Sequence, residues 1–223
     1  MRNGITIIAG LFWVLTWFGF MLLYTFLDVA VWRKLTPASA KYLNLVSIVV
    51  CMAAFLHLLR AKTGFEPHFS QGISFQNLLL AAGCALALYL LLDRGIDPLF
   101  EKIFPASEDT YQETLQTLSK APIVSLLHVC LLAPVIEELL MRGFLLGGLS
   151  ATYGTGIALA LSSFLFALLH FNMVQTLSAL ICGAVLGMLY LHTGSIVCCI
   201  AAHMGYNLIS YLTTILPLFH AGS

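Results

Sequence analysis

Charge is what this sequence has least of. Only 9% of its 223 residues are Asp, Glu, Lys or Arg, against about 25% in a soluble domain, and the ten basic and ten acidic side chains cancel. With 60% hydrophobic residues and a mean hydropathy of +0.96, this is the composition of an integral membrane protein. Zero net charge removes the electrostatic basis for binding nucleic acid. Cysteine pairing motifs are also missing. Cys51, Cys84, Cys130, Cys182, Cys198 and Cys199 all lie in apolar runs with no C-x-x-C spacing, so they read as small buried hydrophobes and imply no disulfide framework. There is no H-E-x-x-H pair and no internal repeat. The first absence takes away the usual zinc-peptidase helix, and the second argues against the repeat-built carriers.

What is present is a succession of apolar runs near the length of about 20 residues that a helix needs to cross a bilayer. They fall at 5–32, 42–59, 75–92, 122–149, from the turn at 150–156 through His170, at about 176–191, and after Gly194. The first is too long for the apolar core of a signal peptide, about 7–15 residues, and is expected to be a retained helix. The expected fold is all-α, a polytopic membrane protein of about seven transmembrane helices with a catalytic bundle formed by the last four. Its expected parts are 1–121, N-terminal spans with an extramembrane connector, and 122–223, the catalytic core.

The connector, 93–121, gathers Asp93, Asp97, Glu101, Glu108, Asp109 and Glu113. Ser107 reads as an N-cap there. Tyr111, Leu115 and Leu118 then fall at i, i+4 and i+7, the stripe of a short amphipathic helix laid on the bilayer surface.

Against this apolar background Glu137, Glu138 and Arg142 stand in the middle of one run, and ionisable groups inside a span are a functional-site hypothesis by default. Pro134, one turn earlier, predicts a kink below the carboxylates. Glu138 and Arg142 are four positions apart and share a helix face, whereas Glu137 is rotated about 100° away. Glu138 is therefore expected to be neutralised by Arg142, leaving Glu137 to act elsewhere. Counting about 1.5 Å per residue from the nearest turns puts Glu137, His170 and His203 about 20, 21 and 14 Å from one face, in one slab of the membrane. His203 and Asn207 share a face. His128, nine positions from Glu137, is expected on the opposite face and to be structural; Asn172 is a candidate neighbour of His170.

Peptide hydrolysis needs a base for water, an acid for the leaving amine and donors for the oxyanion. Glu137 with His170 can supply the first two, and His203 with Asn207 the third. The motifs Glu137-Glu138-x-x-x-Arg142, Phe166-x-x-x-His170 and His203-x-x-x-Asn207, in this order, resemble those of the CPBP intramembrane proteases, the type II CAAX endopeptidase and bacteriocin-processing family. The resemblance covers roughly 122–212. It implies an intramembrane endopeptidase with Glu137 as base, His170 as its partner, His203 and Asn207 in the oxyanion hole, Glu138 and Arg142 as a structural pair, and Phe166 packed beside His170. It further implies a membrane-associated protein or peptide substrate, lipidated or bearing a C-terminal tail, met among membrane lipids.

The leading expectation is a metal-free, glutamate-based reaction without cofactor. Zinc bound by Glu137, His170 and His203 is the alternative. A proton-coupled carrier and a catalytically silent scaffold are the rival functions, and a prokaryotic inner membrane is the expected location.

Overall fold

The computed structural model describes residues 4–222, and among them the chain is helix and turn with no strand. In chain order the helices are α1 (Ile7–Leu35), α2 (Ala40–Thr63), α3 (Phe75–Ile103), α4 (Pro105–Ser119), and α5 (Pro122–Tyr153), α6 (Thr155–Leu168), α7 (Met173–Thr193) and α8 (Ile196–Phe219). All but α4 and α6 are long and apolar enough to span a bilayer, and α6 is a shorter apolar helix. The chain is an integral, multi-pass membrane protein of the all-α class expected.

One apolar core runs through the bundle. Trp13 of α1 meets Phe55 of α2 and Phe144 of α5 edge to face, at centroid distances of 6.1 and 6.3 Å, so the helices on either side of residue 121 share it. The α6 and α7 helices pack tightly because Gly183 and Gly187 lie between them. A Cβ at Gly183 would sit 3.1 Å from the Cα of Ser163, and one at Gly187 would run into the Leu159 side chain. Small residues at such spacing let helix backbones approach. At the far end of α7, Gly194 takes a left-handed φ of 65° and Ser195 caps α8 by accepting from the Cys198 N–H. The chain thus reverses in two residues.

Prolines shape three of the spans by one mechanism. Pro98, Pro134 and Pro217 each lie two residues beyond a π-helical turn, at Leu92–Ile96, His128–Leu132 and Tyr211–Ile215 respectively. A proline ring collides with the carbonyl four residues back and offers no N–H, so widening the preceding turn relieves the clash. The distortion expected at Pro134 takes this form. A longer π-helical stretch, Leu139–Leu146, follows Glu138 directly.

The structure differs from expectation in three places. First, α3 continues through Asp93 and Asp97 to Ile103, so these acids belong to a span and not to a solvated connector. Second, α4 starts at Pro105, whose fixed φ suits the first helical position, and Ser107 is not its cap. The apolar stripe of α4 packs on protein instead of lipid: Leu115 forms a buried cluster with Cys130, Tyr211 and Ile215. Third, α6 stops at Leu168, about 21 Å from its start and short of the roughly 30 Å hydrocarbon core. His170 therefore lies in the break between α6 and α7.

Candidate active site

Non-helical backbone at membrane depth is tolerated only where protein or a polar cavity satisfies it. The break that carries His170 meets this condition. The N–H groups of Leu169 and His170 donate to Phe166 and Ala167, and Thr176 Oγ1 donates to the His170 carbonyl at 2.5 Å. The Asn172 side chain accepts from the N–H groups of Val174 and Gln175, capping α7.

Beside the break lies a cavity of about 380 Å³, lined by Glu137, Phe166, His170, His203 and Asn207 together with Asp93, Asp97, His128, Ser178, Tyr206 and the inner face of α4. The four residues named from the motifs as catalytic thus converge on one space inside the bundle.

The two glutamates are separated as helix geometry requires. The Glu138 side chain is 0% exposed and that of Glu137 19%, so it is Glu137 that faces the cavity. Glu138 Oε1 accepts from Arg142 Nη1 at 2.8 Å and from His203 Nδ1 at 2.9 Å. Arg142 also donates to the Gly183 carbonyl at 3.1 Å and stacks over the Phe166 ring at 4.8 Å. A buried charge that lost its partner would cost about 3–5 kcal/mol, and here Arg142 through Gly183 and Glu138 through His203 each bond to a neighbouring helix as well.

Both imidazoles are anchored through Nδ1, His203 on Glu138 and His170 on the Phe166 carbonyl at 3.2 Å. These acceptors fix the proton on Nδ1 and leave Nε2 for the cavity. Nε2 of His203 lies 3.8 Å from Glu137 Oε2, beyond direct hydrogen-bond distance. His203 and His170 both line the cavity that Glu137 faces. The Phe166 ring meets both imidazoles edge to face, at 5.1 Å from His170 and 5.8 Å from His203, so one side chain spaces the pair.

Asn207 owes its position to Pro134. The Ala133 N–H bonds to the His128 carbonyl across the π turn, and Pro134 has no N–H to offer the next carbonyl, that of Val129. Asn207 Nδ2 fills this vacancy at 2.9 Å, and its second N–H remains for another acceptor.

His128, Asp93 and Asp97 are cavity residues that sequence reasoning did not place there. At 100° per residue His128 falls opposite Glu137, but the intervening π turn accommodates about one extra residue and turns His128 back to the cavity. Asp93 accepts from Tyr206 Oη at 2.9 Å and Asp97 from Ser178 Oγ, which ties α3 to α8 and α7. The i, i+4 spacing of the two aspartates was the available signal, masked by Pro98. On α4, burial pushes the Tyr111 phenol up, reinforced by the carboxylates of Asp93 and Asp97, so it stays neutral in the cavity wall.

Among the described residues no three His, Cys, Asp or Glu side chains are grouped so as to hold a metal ion. The donors Glu137, His170 and His203 share the cavity without forming a preassembled zinc site.

Residues 119–209 match the family model described as Rce1-like, type II CAAX prenyl endopeptidase Rce1-like. No curated protein and no solved structure matches the chain. The matched segment contains Glu137, Glu138, Arg142, Phe166, His170, His203 and Asn207, and the match bears out, over residues 119–209, the family that the three motifs point to.

Proposed function

We propose that the chain is an intramembrane endopeptidase in which Glu137 activates water. The observation that carries this reading is the convergence of Glu137, His170, His203 and Asn207 on one cavity within a membrane-spanning bundle. Glu137 takes a proton from water, and the water oxygen adds to the scissile carbonyl carbon. His203 and Asn207 supply donors to the resulting oxyanion. Glu138 on Nδ1 of His203 compensates the charge that an Nε2–H donor brings. His170 orients the water through Nε2, takes from Glu137 the proton removed from that water, and hands it to the leaving amine as the C–N bond breaks. Glu138 and Arg142 hold the frame, and Phe166 sets the spacing of the imidazoles.

The substrate of this reading is a membrane-associated protein or peptide cut near its membrane-attached end, in a prokaryotic inner membrane. The family's description names a CAAX prenyl endopeptidase, which fits a substrate that is lipidated or bears a C-terminal tail. Comparing the termini of membrane proteins in cells carrying wild-type protein or Glu137→Gln tests it: a set of termini lost with the variant names the substrate, and identical sets in the two strains argue against proteolysis.

A further inference from the structure

The helix that roofs the cavity has the construction of a movable part. At both ends of α4 the helical path is broken at a residue that precedes proline, Phe104 with φ −123° and ψ 64° before Pro105, and Ala121 with φ −142° and ψ 64° before Pro122. A residue before proline is driven out of the α region, so α4 hangs between two junctions that do not propagate helix. Within it, Thr110, Thr114 and Thr117 turn their hydroxyls back to their own helix. Its inner face, Tyr111, Thr114, Leu115 and Leu118, forms one wall of the cavity.

The N-terminal end of this helix is tied to the start of α7 by two hydrogen bonds. Asn172 Nδ2 donates to the Ser107 carbonyl at 2.6 Å, and Ser107 Oγ accepts from the Met173 N–H at 2.8 Å. Asn172 is 8% exposed, and its other side-chain atom, Oδ1, caps α7. The residue thus has two separable jobs, on the same backbone break that carries His170 two residues earlier.

We propose that Asn172 is a positioning residue that clasps α4 to the His170 break. Peptide enters the cavity when the clasp opens, and His170 is placed when it closes. This rests on the protease reading for its purpose, but not for its test. Asn172→Asp keeps an oxygen to cap α7 while removing the donor to Ser107, so it separates the clasp from the cap.

Two probes read the cavity in purified full-length protein in detergent, each quantified by mass spectrometry. N-ethylmaleimide reports on Cys182, which lines the cavity and is 3% exposed, and diethyl pyrocarbonate reports on His170. In Asn172→Asp both residues should react about tenfold faster than in wild type, with the unfolding midpoint unchanged. A disulfide joining Ser107→Cys to Met173→Cys should slow both reactions below wild type until it is reduced. An unchanged rate at either Cys182 or His170 in Asn172→Asp overturns the proposal. The same measurements in a Glu137→Gln background need no catalysis, so their failure is distinguishable from failure of the protease reading.

Discussion

His203 Nδ1 and Arg142 Nη1 meet on the same oxygen, Oε1 of Glu138, at 2.9 and 2.8 Å. The buried glutamate therefore does more than neutralise its own helix. It joins α5 to α8 and fixes which nitrogen of His203 is left for the cavity. Glu138→Ala should leave Arg142 unpaired at a site where its side chain is 1% exposed, at a cost of about 3–5 kcal/mol. Thermal unfolding in detergent should show a large fall in midpoint, whereas Glu137→Gln should unfold like wild type. A wild-type midpoint for Glu138→Ala would contradict this assignment.

Pro134 shapes the site through a carbonyl. Pro134→Ala restores an N–H that the Val129 carbonyl can use, and the helix itself gains by about 3 kcal/mol in intrinsic propensity. Asn207 would then compete for its anchor. The expected variant is at least as stable as wild type and about tenfold or more slower in cleavage, and wild-type cleavage would show that Asn207 does not depend on the π turn.

Gly183 is close to both the frame and the imidazoles. An added Cβ would lie 3.1 Å from Ser163 Cα and 3.2 Å from Phe166 Cδ1. Overpacking of this kind costs about 1–3 kcal/mol, and displacement of Phe166 would move both His170 and His203. Gly183→Ala should lower the unfolding midpoint and the cleavage rate together, a pairing that separates it from Pro134→Ala.

In the proposed reaction Glu137 itself activates the water, with no metal ion. Activity should survive exhaustive chelation in detergent, and a strict requirement for added zinc would contradict the metal-free reaction.

Much of this architecture is written in the sequence as apolar length, because a bilayer admits few other solutions for such runs. The frame pair is legible for the same reason: Glu138 and Arg142 at i, i+4 inside lipid have few partners besides each other. What escaped is what an ideal helix cannot convey. His128 was turned into the cavity by a π turn that no periodicity of 100° per residue contains. Asp93 and Asp97 were hidden because Pro98 reads as the end of a span, whereas the wide turn before it lets α3 continue. The stripe on α4 was legible as amphipathic, but its hydrophobicity does not say whether lipid or protein covers it. Glu138's second partner, His203, is a contact between residues 65 positions apart, set by packing and not by local pattern.

The most direct test of the central claim is cleavage by purified protein of a peptide that spans a terminus found to depend on Glu137. Removing a general base costs typically 10²–10⁴-fold, so Glu137→Gln, folded and with an unaltered unfolding midpoint, should show no cleavage above that level. Cleavage by Glu137→Gln at the wild-type rate would contradict the account.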